Sequence, residues 1–163
     1  MNKQLDKKGF TIIEVVLVLA IAGLIFLMVF VALPSLQRGQ ANSQRQQDLS
    51  RISVQLVNST QSSRGAIPKT QDALFNFVKN YLGKDATNTG VAGGEYVDPS
   101  GVPYTLRFET APQVLGDIGY YPASECMTEG ANQDNGGVQS AAPRSFALTV
   151  ALDGQTVPYC VDS

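Results

Sequence analysis

The most distinctive pattern in the chain is an unbroken apolar run near its amino terminus. Residues 15–33 contain no charged or strongly polar side chain. At ~1.5 Å per residue a helix of this length spans about 29 Å, close to the ~30 Å thickness of the bilayer hydrocarbon. Lysines precede the run and a long polar region follows it. The sequence therefore predicts one transmembrane helix with its amino terminus in the cytoplasm and the bulk of the chain outside.

Beyond the run, apolar residues recur at a helical spacing that continues to about residue 58. The positions i, i+3 and i+7 are Leu49, Ile52 and Leu56. Polar residues separate them, so the pattern predicts one helix of about 50 residues whose second half has a single apolar face. Gly23 and Pro34 fall inside this helix and both residue types weaken it, so the segment between them is predicted to be its weakest part.

The rest of the chain predicts a short helix followed by β-structure. Thr70 is placed to cap a helix over residues 71–82, and residues 85–101 are rich in glycine and predict a surface loop. Alternating apolar and polar positions over residues 104–108 and 146–152 predict strands, with a shorter one at residues 118–121. The pair Asp153-Gly154 predicts a two-residue hairpin that returns residues 157–161 antiparallel. The fold class is α+β, a long amino-terminal helix packed on a small antiparallel sheet.

Composition argues against an enzyme and against a protein that wraps nucleic acid. The chain has no His, which excludes Ser-His-Asp and Cys-His catalysis and His-based metal sites. The carboxylates Asp98, Glu109 and Glu125 are scattered, with no motif that brings them together. We expect no enzymatic activity and no cofactor. A formal charge of −2 lacks the basic excess that nucleic-acid binding over the whole surface requires.

One stretch of the long helix nevertheless carries a local positive excess. Its charged residues are Arg38, Arg45, Asp48, Arg51 and Arg64. We interpret them as a solvated helix face or as inter-subunit ion pairs. A track for DNA is the alternative interpretation of the same residues.

Glu14 needs an explanation, because it stands at the start of the apolar run. A carboxylate at the centre of a membrane span costs ~2.5–3.5 kcal/mol, and less toward an end, so such groups are usually kept for a partner. Glu14 is therefore expected to pair with a cation. The simplest alternative is that its side chain reaches the lipid headgroups without a protein partner.

Lys7-Lys8-Gly9-Phe10-Thr11-Ile12-Ile13-Glu14, followed at once by the apolar run, resembles the class III leader of type IV prepilins and pseudopilins. The resemblance implies that a membrane peptidase cuts after Gly9 and methylates the new amino terminus of Phe10. It divides the chain into a leader (1–9), a transmembrane and filament-core helix (10–34), and an amphipathic helix with a globular pilin head (35–163). Cleavage removes three Lys and one Asp and leaves nine basic and 13 acidic side chains, a mildly acidic subunit.

The resemblance also assigns roles in assembly. It implies that Glu14 neutralises the amino terminus of Phe10 in a neighbouring subunit, so that a carboxylate unpaired in lipid becomes paired in a filament. Gly23 and Pro34 would bound a stretch that melts when subunits pack, and the alternative for Pro34 is a simple kink. The implied partners are other copies of the chain, the membrane, a prepilin peptidase, an assembly ATPase and a platform protein; nucleic acid is a weak further candidate.

Cys126 and Cys160 are the two cysteines of the chain. In an exported domain they fit a disulfide, which would stabilise the head by about 4 kcal/mol on the chain-entropy model. The resemblance supports this, because many type IV pilins close a carboxy-terminal region in the same way. Two independent thiols are the alternative. We expect no metal; the polar residues Glu129, Asn132 and Asp134 inside the loop make calcium a weak alternative, since their spacing is not that of an EF-hand.

From these features we expect a structural subunit of a type IV pilus-like filament that serves adhesion and surface (twitching) motility. The precursor would lie in the cytoplasmic membrane and the mature subunit in an extracellular fibre. A pseudopilin of type II secretion and a subunit of a DNA-uptake pilus are alternatives within the same class. A singly anchored surface binding module that never polymerises is an alternative from a different class.

Overall fold

The computed structural model describes residues 9–83, 96–128, 130 and 136–163. The chain divides into two compact units, an amino-terminal unit (residues 1–39) and a head unit (residues 40–163). The weak calcium possibility at Glu129, Asn132 and Asp134 lies outside the described residues.

Helix α1 runs from Ile12 to Ser62, and its residues belong to both units. This confirms the long helix expected from the apolar run and the spacing that follows it. Pro34 lies inside α1, and the segment between Gly23 and Pro34 is helical throughout. In the head unit the apolar face of α1 is fully buried; its members are Leu49, Ile52 and Leu56.

A short helix, α2, follows from Gln71 to Phe77 and continues as a π-helical turn from Val78 to Leu82. Thr70 is its N-cap: the backbone N–H of Ala73 donates to the Thr70 hydroxyl at 3.2 Å. This bond satisfies one of the amides that a helix start leaves without a partner. The predicted helix is therefore present, with a change of helix type in its second half.

In the part of the chain that the structure describes, six strands form two small sheets. They are β1 (Thr105–Phe108), β2 (Asp117–Pro122), β3 (Ser124–Cys126), β4 (Val138–Ser140), β5 (Phe146–Val150) and β6 (Tyr159–Asp162). The larger sheet has the order β1-β2-β5-β6, and β3 pairs with β4 in the smaller one. The β2–β5, β5–β6 and β3–β4 pairs are antiparallel, which makes the fold α+β with a largely antiparallel sheet, as predicted.

The pairing of β1 with β2 is parallel, and here the structure departs from the antiparallel expectation. Parallel neighbours need a connection that returns the chain to the starting edge of the first strand. The segment between β1 and β2 makes this return. At its end, the Gly116 carbonyl accepts a hydrogen bond from the Thr105 N–H at the start of β1, at 2.8 Å. The short β3–β4 sheet was not anticipated, because neither strand shows more than three residues of alternation.

The hairpin between β5 and β6 exists, but the predicted two-residue turn is wrong. Val150 pairs with Tyr159, so residues 151–158 connect the strands. Helix α1 supplies the reason: the Asn42 side chain accepts from the Asp153 N–H at 2.9 Å and donates to the Asp153 carbonyl at 3.0 Å. Both backbone groups of Asp153 are thereby bound to the helix, and the turn with Gly154 at φ 76° forms within a longer loop.

Candidate functional site

The start of α1 is closed by a reciprocal pair of hydrogen bonds between Thr11 and Glu14. The Glu14 carboxylate oxygen Oε2 accepts from the Thr11 backbone N–H and from the Thr11 hydroxyl, both at 2.8 Å. The Glu14 N–H donates to the Thr11 hydroxyl oxygen at 3.4 Å. This is a capping box, in which Thr11 is the N-cap and Glu14 the third helical residue. The negative charge of Glu14 also lies at the end of the helix where the macrodipole favours it.

Within the described residues, both bonds to Glu14 use the same oxygen, and Oε1 accepts none. Gly9 and Phe10 precede the cap and are not helical, so the Gly9–Phe10 peptide bond lies outside α1. Phe10 is 91% exposed. The structure thus places the three residues implicated in processing and pairing, Gly9, Phe10 and Glu14, within one exposed turn at the helix start.

The following part of α1 presents an apolar surface with almost no cover. Its side chains are exposed from Ile12 through Leu36, with Ala22 as the half-buried exception. The most apolar window has a mean hydropathy of 3.2 and none of it is buried. In length and composition this helix is able to cross a membrane. No neighbouring atom lies within 4 Å of the position that a Cβ would take at Gly23, so the described residues leave that face of the helix open.

The arginines of the central helix do not form one surface, which corrects the expectation from the sequence. Arg45 is buried, 3% exposed, and its guanidinium binds both carboxylate oxygens of Asp98, at 2.6 Å and 3.0 Å. It also donates to the Asn42 side chain at 2.9 Å. A DNA track or a solvated face that includes Arg45 is therefore wrong. Asp98 lies near the end of the predicted surface loop but is itself buried, and the ion pair joins it to α1.

A second acidic group, Asp48, lies one helical turn from Arg45 in the same buried region. The Tyr104 hydroxyl donates to its carboxylate at 3.2 Å, and Arg51 approaches it at 3.8 Å. Burial raises the pKa of Asp48 above its ordinary value, against the opposing effect of the Tyr104 hydrogen bond. For Asp98 burial acts in the same direction, but the bonds from Arg45 and Ser100 outweigh it and lower the pKa.

The carboxy-terminal region is closed by a disulfide between Cys126 and Cys160. Their Cα atoms are 5.8 Å apart and 34 residues separate them in the sequence. Cys126 lies in β3 and Cys160 lies in β6. The Cys126 N–H donates to the Asp162 carboxylate at 2.9 Å, so a hydrogen bond supports the covalent link between the two strands.

Two features of this arrangement were missed at the level of sequence. The Thr11–Glu14 capping box had a local signal, the T-x-x-E pattern directly before an apolar run. The Arg45–Asp98 pair had none, because 53 residues separate its members. Pro34 lies within the helical surface described above, and no described atom lies within 4 Å of the Cβ position at Gly23.

Residues 5–30 match the family model described as the prokaryotic N-terminal methylation motif. No curated protein and no solved structure matches the chain. The matched segment contains Lys7 and Lys8 of the leader, the Gly9–Phe10 bond, the capping box and most of the apolar run. It supports a class III leader and, with it, a type IV pilin-like or pseudopilin protein that is anchored in the membrane through the first part of α1.

Proposed function

We propose that the chain is the structural subunit of a type IV pilus-like extracellular filament that serves adhesion and surface motility. The observation that carries the proposal is the methylation motif placed directly before an uncovered apolar helix. A helix that is apolar all round and has no cover requires either lipid or other helices around it. In the precursor, lipid would surround this helix. After cleavage after Gly9 and passage into a filament, the helices of neighbouring subunits would surround it instead.

The geometry at the helix start supports a role for Glu14 in this passage. Its Oε2 is held by Thr11, while no described residue donates to its Oε1. We propose that Oε1 accepts a hydrogen bond from the methylated amino group of Phe10 in an adjacent subunit. The capping box fixes the carboxylate in one orientation beforehand, so less side-chain entropy is lost when the pair forms. Because charges in lipid are expensive, this pairing favours the filament over the isolated subunit.

The head unit supports an extracellular destination. Its disulfide is of the kind that persists in oxidising compartments. We propose that the partners are a prepilin peptidase, an assembly ATPase, a platform membrane protein and further copies of the chain. The burial of Arg45 removes one arginine from the helix track that would otherwise be available to DNA.

The test is the intact mass and amino-terminal sequence of protein sheared from the cell surface. The proposal predicts a chain that begins at methylated Phe10, lacks nine residues, and is two mass units lighter than its reduced form. A full-length chain that starts at Met1 and remains in the membrane fraction would instead establish a singly anchored module.

A pair of variants tests assembly separately from export. Glu14→Gln retains a hydrogen-bond acceptor for Thr11 but removes the charge, and we expect it to be processed but excluded from sheared fibres. Glu109→Gln, an exposed carboxylate in the head unit, is the matched control and should enter fibres normally. Equal incorporation of both variants would contradict the role of Glu14.

A further inference from the structure

A concave site in the head unit collects three positive charges. The site has a volume of about 510 Å³ and lies where the end of α1, the start of α2 and the segment before β5 meet. Its charged residues are Arg64, Lys69 and Arg144. The volume lies within the ~300–1,000 Å³ range of pockets that bind small molecules. We call it the cationic pocket.

None of the three cations forms an ion pair with any residue that the structure describes. Two other cations of the head unit are paired: Arg45 binds Asp98, and Arg107 contacts Asp117 at 2.8 Å. In a mature subunit with an acidic excess, three unpaired cations around one concavity therefore favour an anionic ligand.

The backbone turn that carries Arg64 also contacts Arg144. Arg64 and Gly65 both adopt left-handed conformations, with φ of 57° and 82°. This conformation disfavours a residue with a side chain, and residues held in it are concentrated at functional sites. The Arg144 guanidinium lies over Gly65, with Nη1 3.5 Å from the position that a Cβ would take there. Arg144 is thereby placed beside Arg64 although 80 residues separate them in the sequence. Guanidinium groups bind sulfate, phosphate and carboxylate through paired hydrogen bonds.

A second groove, of about 370 Å³, adjoins the cationic pocket and shares Ala66, Ile67 and Ala73 with it. Its exposed polar side chains are Ser63, Asn76 and Asn80. Tyr81 is 40% exposed at the same groove, and its ring stacks on Phe77 with the centroids 5.5 Å apart. An aromatic ring fixed by packing beside free amides and hydroxyls offers both an apolar contact and hydrogen bonds to a sugar ring.

We propose that this surface binds an anionic polysaccharide: a sulfate, phosphate or uronate group enters the cationic pocket and the adjoining sugar lies against Tyr81. A nucleic acid fits less well, because proteins that track it commonly neutralise ~6–10 phosphates and this surface offers three cations in one concavity. The inference rests on the proposed function only because it requires the head unit to face outward. In that position, an anionic polysaccharide would be the ligand through which the filament adheres.

The experiment uses the full chain purified in detergent micelles and measures binding by titration calorimetry. The probes are a heparin tetrasaccharide, neutral cellotetraose, inorganic sulfate and a 12-nucleotide single-stranded DNA. We expect binding of the heparin tetrasaccharide and none of cellotetraose. Arg64→Gln and Arg144→Gln should each weaken it about tenfold, the effect expected for the loss of one charge-assisted contact.

Arg51→Gln is the matched control. Arg51 precedes Ser62, the end of α1, by eleven residues, or about 16 Å along the helix axis, and the variant loses the same charge. It should bind the tetrasaccharide as the unaltered chain does. Tyr81→Ala should weaken tetrasaccharide binding and leave the affinity for sulfate unchanged. Far-UV circular dichroism at the assay temperature verifies that each variant is folded.

Several results would overturn the proposal. The first is that the tetrasaccharide does not bind. The second is that the Arg64 and Arg144 variants bind it as tightly as the unaltered chain does. The third is that inorganic sulfate binds as tightly as the tetrasaccharide. Tighter binding of the DNA would replace the polysaccharide with a nucleic acid as the occupant. The assay requires no filament, so failed binding with normal fibres refutes only this inference, whereas binding without fibres refutes only the proposed function.

Discussion

Replacing Arg45 with Met should destabilise the head unit strongly, although the Met side chain still fills most of the volume that the arginine occupies. Arg45 is 3% exposed, and the carboxylate that it binds at 2.6 Å and 3.0 Å belongs to a side chain with no exposure. Removal of one member of such a pair leaves an uncompensated buried charge, which costs about 3–5 kcal/mol. Small domains have free energies of unfolding of about 5–15 kcal/mol, so the loss is a large share of the total. It corresponds to a fall in melting temperature of roughly 10–20 °C.

The assay follows the six tyrosines, since the chain contains no Trp. They lie between positions 81 and 159, so near-ultraviolet circular dichroism of the full chain in detergent reports on the head unit. Arg51→Met is the charge-matched control, because Arg51 is 66% exposed and 3.8 Å from its carboxylate partner. Its carboxylate partner, Asp48, is buried, but the arginine is largely solvated and too distant for a hydrogen bond, and ion pairs with such an exposed member contribute up to about 1 kcal/mol.

A double variant separates the charge from the packing. Asp98→Asn, combined with Arg45→Met, removes the orphaned charge but retains an acceptor for the Ser100 N–H, which donates to Asp98 at 2.8 Å. We expect it to recover at least half of the stability that the single variant loses. An Arg45→Met protein that melts within 2 °C of the unaltered chain would refute the reasoning, and so would a double variant less stable than the single one.

Three further variants test other parts of the head unit. Replacing both Cys126 and Cys160 with Ser should lower the free energy of unfolding by about 4 kcal/mol, measured by denaturant titration against the oxidised chain. Asp48→Asn should raise the free energy of unfolding at pH 7. Burial raises the pKa of Asp48 in the folded state, so the stabilising contribution of this residue is present below its unfolded pKa of 3.8 and is lost as pH rises through the folded pKa. At pH 7 the buried carboxylate is therefore unfavourable, and a neutral amide avoids that cost. Melting curves from pH 4 to 8 should therefore show a gain that shrinks toward acid, and a constant gain would contradict this. Gly119→Ala should destabilise by about 1–3 kcal/mol, because its Cβ would lie 2.7 Å from the Thr110 carbonyl oxygen, whereas Gly39→Ala, with open space around it, should not.

The features that could be predicted are those with a local physical signature. The apolar run fixes the first half of α1, because nineteen residues without a polar group have few alternatives to a membrane helix. The spacing of Leu49, Ile52 and Leu56 predicts the buried face, and the Thr70 cap predicts the start of α2. The leader motif was specific because cleavage and methylation constrain particular residues at fixed positions.

The features that could not be predicted depend on contacts between distant residues. Nothing near Arg45 indicates that Asp98 will neutralise it, and an arginine on a helix is normally solvated. The two-residue turn at Asp153-Gly154 had a strong local preference, yet Asn42 binds both backbone groups of Asp153 and the tertiary contact prevailed. The direction of β1 relative to β2 is set by a loop whose sequence carries no periodicity.

The capping box at Thr11 also determines what a protease would meet. Helix α1 cannot extend further toward the amino terminus than Thr11. The Thr11 N–H donates to the Glu14 carboxylate, so it is not available for the backbone hydrogen bond that another helical turn would need. The Gly9–Phe10 bond consequently remains in non-helical backbone. Hydrolysis of a peptide bond requires its carbonyl to be reached by both a nucleophile and an oxyanion-stabilising donor, and a carbonyl inside a helix is already engaged by an amide one turn ahead. If the chain is processed as proposed, Thr11 and Glu14 thus serve a second purpose: they keep the Gly9–Phe10 bond in non-helical backbone, the form in which a peptidase can bind it.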